Sequence, residues 1–299
     1  MLKHHGRSFH FASRFLPAAP RRRATRLYAF CRWVDDLIDE GDDMMGSDDP
    51  LAPIARDLIR QKTAIPQLAD FIALLQETGL PKAAPRHLLD GLRSDQGTVA
   101  IVDENALRRY AYQVAGSVGV MMAAVLGLED RRGLARAIDL GLAMQMTNIA
   151  RDVAEDAGRR RRYLPANWFE PAIVPELTAD LGRHECAVRQ ATRRLLAMAE
   201  PYYASGELGL ALLPPSVQPG IRVAARVYRE IGVMIERKHY SPLAPRARVP
   251  AGRKLAVALR ALAFSLAPSA KRSCRIEPHD PTLHDGFQDL VAEIMRDSP

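Results

Sequence analysis

The chain has 299 residues, 47% of them hydrophobic and 26% charged. That is enough apolar mass for a sizeable core, with a charge content unlike that of a disordered or fibrous chain. A net charge of +7 points to an anionic partner, whether nucleic acid, a lipid surface or a phosphorylated substrate, without choosing among them. Three cysteines, Cys31, Cys186 and Cys274, show no paired spacing, which argues against a disulfide framework or a zinc site and for a reducing compartment. Residues 1–7 lead into no apolar signal core. The most apolar run, 255–267, is interrupted by Arg260 and falls short of the roughly 18 residues that span a bilayer. A cytoplasmic protein is expected, with any membrane contact peripheral.

Apolar spacings of three and four recur along the chain and period-two alternation is almost absent, so the chain reads as all-α with no candidate sheet. The spacing predicts helices over 20–41, 51–61, 67–77, 83–94, 103–127, 131–158, 176–203, 217–239 and 250–266. The breaks at 41–50, 79–81, 164–175 and 213–215 are rich in proline and glycine and read as turns, not as a linker. A single helical domain over 1–268 is therefore expected. A polar tail follows over 269–299, loosely attached, with a weak apolar pattern between Phe287 and Ile294.

On the first predicted helix, Tyr28, Arg32, Asp35 and Asp39 follow at steps of 4, 3 and 4, which stacks them along one face. Carboxylates four apart repel by roughly 0.2–0.5 kcal/mol, so the helix gains nothing by the pairing unless a cation lies between them. A lone pair of this kind is usually a solvated face, but Asp35 and Asp36 are set between Trp33-Val34 and Leu37-Ile38. A second stripe, Gln145, Asn148, Asp152 and Asp156, follows steps of 3, 4 and 4 on a helix otherwise rich in Leu, Met, Ile and Ala. Two such stripes facing one cavity would be unstable unless cations neutralised them. Oxygen ligands without histidine suit a hard ion, Mg²⁺ or Mn²⁺, which usually shares its coordination with phosphate oxygens. Arg32, Arg151 and the arginines at 159–162 agree with a phosphorylated substrate.

Gly116 and Gly119 interrupt a predicted helix, as packing points or as a pocket wall. Phe9, Tyr28, Tyr110 and Tyr228 could offer ring faces to a cation. The eight histidines show no ligand or nucleophile arrangement, and no nucleic-acid-binding module is present.

At these residues the chain resembles the squalene/phytoene synthase family, most of all its bacterial phytoene synthase branch. The likeness runs through Ser8-Phe9, Tyr28-Ala29-Phe30-Cys31-Arg32, the Asp35 to Asp39 motif and the stretch from Tyr110 to Gly119. It continues through Gln145-Met146-Thr147-Asn148-Ile149-Ala150-Arg151-Asp152, Asp156, Tyr163-Leu164-Pro165, Pro201-Tyr202-Tyr203 and Val227-Tyr228-Arg229-Glu230, and is weakest over 96–102. The resemblance implies a single-domain isoprenoid synthase fold around a central cavity. It also implies head-to-head condensation of two geranylgeranyl diphosphates through prephytoene diphosphate to phytoene, with Mg²⁺ or Mn²⁺ and without a nicotinamide cofactor. By position, Asp35, Asp39, Asp152 and Asp156 would hold the metal, assisted by Asp36 and Asn148. Arg32, Arg151 and Arg246 would clamp diphosphate, Ser8 would offer it a hydroxyl, and Phe9, Tyr28, Tyr110, Gln145 and Tyr228 would meet the substrate, with Arg32 and Tyr28 also at the reacting centre.

A head-to-tail elongase is disfavoured because Val153 breaks a second DDxxD motif, and a terpene cyclase would lack the other matching segments. Dehydrosqualene formation from two farnesyl diphosphates and a non-catalytic assembly factor stay as alternatives. Small residues at Ala12 and Ser13 would leave room for the longer chain if they line the cavity floor.

Overall fold

The computed structural model describes residues 11–39, 49–266 and 277–297. Ser8 and Phe9 lie outside the described residues, as does the side chain of Asp39. Helices dominate in the order the periodicity predicts: α1 (Ala18–Asp39), α2 (Ala52–Arg60), α3 (Pro66–Thr78) and α4 (Ala83–Arg93) come first. Pro66 opens α3 where its missing N–H has no intrahelical partner to lose, and Gly79 ends it at φ +61. Next come α5 (Glu104–Ala111), α6 (Ser117–Val125), α7 (Arg132–Gly158) and α8 (Glu185–Gly209). The chain continues with α9 (Gln218–Glu236), α10 (Ala251–Leu266) and α11 (Gln288–Asp297).

The long helix α7 is the centre of the molecule and packs against α6, α8 and α9, while α1 packs on α3 and α6, and α10 covers α9. Its close approach to α6 depends on glycine. A Cβ at Gly119 would lie 2.2 Å from the Ala137 carbonyl oxygen, and one at Gly141 would lie 2.3 Å from that of Ala115. The glycines of the predicted helix thus serve packing. Gly119 also lines the cavity described below, so packing point and pocket wall coincide there, whereas Gly116 only packs, against Leu142 and Tyr112.

Four sequence expectations are corrected. The helix predicted over 103–127 is divided by a π-helical turn at Tyr112–Gly116, a difference too small for apolar periodicity to register. The helix predicted over 176–203 begins at Glu185 and runs through Pro201 to Gly209, because Leu177 packs into the core from a loop. One two-residue parallel pairing exists, Val99 with Arg161 and Ala100 with Arg162. The tail is not loosely attached over 277–297: Phe287 and Ile294 are fully buried, and the Phe287 ring stacks on Tyr112 at 4.9 Å. Asp297 accepts the Ala83 N–H at 2.7 Å, Arg109 pairs with Asp289 at 2.9 Å, and the Tyr202 hydroxyl donates to Leu283 O at 2.6 Å. No described helix is long and apolar enough to cross a membrane.

Candidate active site

A cavity of about 1620 Å³, counting its open mouth, runs along α7. One stripe of that helix, Gly133, Arg136, Ala137, Leu140, Gly141, Met144, Gln145 and Asn148, faces it, as steps of three and four dictate. α1 supplies Leu27, Tyr28, Cys31 and Asp35 from across the space, and α9 supplies Ala224 and Tyr228. Ala12 and Ser13 also line it, as the sequence suggests. The polar end therefore gathers Tyr28, Asp35, Gln145, Asn148 and Tyr228, five of the expected residues.

Asp152 and Asp156 occupy the next two turns of α7, beyond the cavity lining. Asp152 is clasped by two guanidinium groups. Arg151 Nε donates to one carboxylate oxygen at 2.8 Å, and Arg246 approaches both oxygens at 2.7 and 2.9 Å. Burial alone would push the Asp152 carboxyl up, but the two arginines outweigh it and hold it below the usual range. Arg246 also reaches Glu155 at 3.5 Å, while Arg32 pairs with Asp36 at 2.8 Å on the other helix. Each expected diphosphate clamp is thus already seated beside a carboxylate.

Asp156 has no such clasp. Burial, with the neighbouring charges of Asp152 and Asp95, pushes its carboxyl up to about 8. Its Oδ2 and the Asn148 Oδ1 are among the buried polar atoms without a hydrogen-bond partner among the described residues, a state that costs about 1–3 kcal/mol per group. Two partnerless oxygens, a carboxylate crowded by carboxylates and an all-oxygen donor set fit a hard divalent cation. Among the described side chains, Asp35, Asn148, Asp152 and Asp156 are those that would hold it, with Asp36 beside them.

Periodicity did not reveal Asp95, which follows α4 and lines the cavity while almost fully buried. The hydroxyls of Tyr110 and Tyr163 converge on it at 2.9 and 2.6 Å, with the two rings stacked at 4.9 Å. Burial pushes Asp95 up to about 6 against those two hydrogen bonds. The expected substrate contact Tyr110 thus reaches the cavity wall through Asp95. Within the arginine run, Arg162 donates to the Ile101 and Leu164 carbonyls and so ties down the loop over 99–102.

The expectation that histidines form no cluster is also corrected. His279 and His284 bring their Nε2 atoms to 2.8 and 2.9 Å from the two oxygens of fully buried Asp139. None of the three lines the cavity; Asp139 stands nine residues before Asn148 on α7, about 14 Å away at 1.5 Å per residue.

The squalene/phytoene synthase family model matches residues 2–253. The chain is 37% identical over 275 residues to a phytoene synthase of Rhodobacter capsulatus, covering 89% of this chain and 81% of that protein. It is 39% identical over 242 residues to a 15-cis-phytoene synthase of Enterobacter agglomerans, covering 77% and 81%. Among solved structures, a dehydrosqualene synthase in complex with a ligand superposes with a TM-score of 0.77 at 26% identity, over 88% of this chain and 93% of that one. An all-helical cavity with its acidic end on α1 and α7 and a family match over most of the length lead to one conclusion: the chain belongs to the squalene/phytoene synthase family.

Proposed function

We propose that this chain joins two molecules of geranylgeranyl diphosphate head to head, through prephytoene diphosphate, to give phytoene and two diphosphates, in a reaction that requires Mg²⁺ or Mn²⁺. The observation that carries this reading is the cavity itself, apolar along α7 and α6, with Asp35 and Asp95 at its polar end and the unclasped Asp156 two turns beyond Asn148 on α7. An isoprenoid chain fits the first part and a metal-bound diphosphate the second. The relatives' names support the same substrate class.

Asp35, Asn148, Asp152 and Asp156 would hold the Mg²⁺ or Mn²⁺, which would neutralise a diphosphate and so make it a better leaving group. Arg32, Arg151 and Arg246 each hold a neighbouring carboxylate, and a guanidinium has five N–H donors, so each keeps donors for diphosphate oxygens as negative charge develops on them. The apolar wall excludes water, which would otherwise capture the allylic cation. The ring faces of Tyr28 and Tyr228 stabilise positive charge near the polar end. The double bond of the second substrate captures the cation and proton loss closes a cyclopropane; a second ionisation, rearrangement and proton loss give the product. Because substrate and product are lipids, this reading includes peripheral exchange with a membrane surface.

Purified protein incubated with geranylgeranyl diphosphate and Mg²⁺ should yield extractable phytoene, and a chelator should abolish it. No product, or turnover undiminished by the chelator, would overturn the reading. A dehydrosqualene synthase reading has the solved structure at 26% identity in its favour, and preferential turnover of farnesyl diphosphate in the same assay would select it.

A further inference from the structure

Apart from Asp35 and Asp95 at the polar end, Arg136 is the one charged side chain in the described cavity lining. It stands twelve residues before Asn148 on α7, about 18 Å away at 1.5 Å per residue. It is 3% exposed, and a guanidinium so buried persists only where acceptors meet its donors. Three do: Ser205 O and Oγ, both at 3.3 Å, and the Glu277 carbonyl at 2.5 Å. The Ser205 hydroxyl in turn donates to Asp139, whose other contacts are His279 and His284. Three of these groups, Glu277, His279 and His284, come from the C-terminal strap that leads into α11.

We propose that Arg136, backed by this strap, is the chain-length stop at the deep end of the cavity, the one held side chain of a wall that Gly133 and Leu128 share with it. The inference rests on the reading of the cavity as a prenyl-diphosphate site. Its physical basis is a contrast in hardness. An apolar side chain at this depth would yield to a longer tail by changing rotamer, whereas Arg136 would have to leave its acceptors while remaining out of water. Asp139, one turn along α7, is linked to Arg136 through the Ser205 hydroxyl, and the strap contacts both residues. The C-terminal segment thereby acts on substrate length without touching the acidic end.

The test offers the full-length protein farnesyl, geranylgeranyl and geranylfarnesyl diphosphates at equal concentration with Mg²⁺, and reads product lengths by mass spectrometry. Arg136→Ala should raise turnover of the geranylfarnesyl substrate relative to the geranylgeranyl one by at least about tenfold, the size of a changed hydrophobic pocket end. His279→Ala, which keeps Arg136 and loosens its backing, should raise the same ratio by about threefold. An unchanged ratio in a folded Arg136→Ala protein that still consumes geranylgeranyl diphosphate would overturn the stop. Should that variant lose its helical circular dichroism, the His279→Ala ratio decides in the same way. A wild-type protein that consumes none of the three substrates would instead overturn the functional reading.

Discussion

Asp139 and Asp156 lie on the same helix, both buried, yet the protein treats them in opposite ways. Burial pushes both carboxyls up. At Asp139 the hydrogen bonds from His279, His284 and Ser205 outweigh it and hold the group below its ordinary value. At Asp156 nothing outweighs it, the charges of Asp152 and Asp95 add to it, and the carboxyl is driven to about 8. Burial of a carboxylate therefore does not mark a ligand site by itself. What separates the two is whether the surrounding chain meets the charge, and at Asp156 an oxygen is left without a partner. One end of α7 is complete as folded; at the other the described residues leave a buried carboxylate oxygen unmet.

The largest expected effect tests the unfinished end. Asp156→Asn, Asp152→Asn or Asp35→Asn should each lower turnover by at least about 10²-fold with helicity intact, as when charge stabilisation of a transition state is removed. Turnover within a few-fold of wild type would mean that the crowded carboxylates are not ligands. Stability should rank the two aspartates in reverse. Asp139→Asn should cost about 1–3 kcal/mol by leaving buried donors poorly met, seen as a melting point several degrees lower, whereas Asp156→Asn should leave the melting point unchanged or higher. A lower melting point for Asp156→Asn than for Asp139→Asn would break the comparison.

Cavity shape provides a smaller effect. Ser13 is nearly buried and lines the wall, so Ser13→Phe should shift preference from geranylgeranyl to farnesyl diphosphate by about tenfold; an unchanged preference would remove Ser13 from the floor. The smallest effect concerns the strap. His87 lies 2.7 Å from the Tyr112 hydroxyl and 2.9 Å from Glu293 of α11, and burial, followed by the charge of Arg86, lowers its pKa to about 4. The unfolded chain takes up this proton near pH 6.5 and the folded chain resists it. His87 therefore costs no stability above about pH 6.5, and stability declines as pH falls from there towards about 4. Melting points measured over that interval should fall more steeply in the wild type than in His87→Asn, and parallel curves would exclude the effect.

The acidic stripes were legible because helical spacing is a local property: Asp35 on α1 and Asn148, Asp152 and Asp156 on α7 follow from counting residues. The family likeness was legible for the same reason, since its segments are contiguous in sequence. Asp95 had no such signal. It is a single acid beside the stretch least like the family, and only folding brings the hydroxyls of Tyr110 and Tyr163 to it from α5 and from the loop after α7. The pairing of Arg151 and Arg246 on one carboxylate was equally hidden, because one partner is adjacent in sequence and the other is ninety-four positions away.

By itself the sequence determined the all-helical class, the order of the long helices and the chemical character of the polar end, since each depends on residue type and a period of 3.6. Tertiary structure decided which charges are met and which are left open, and where the cavity stops. Those depend on distances between helices that no local period encodes. The C-terminal strap shows the difference most plainly: its polar composition reads as a tail, yet Phe287 and Ile294 are buried and two histidines hydrogen-bond the buried Asp139 of α7.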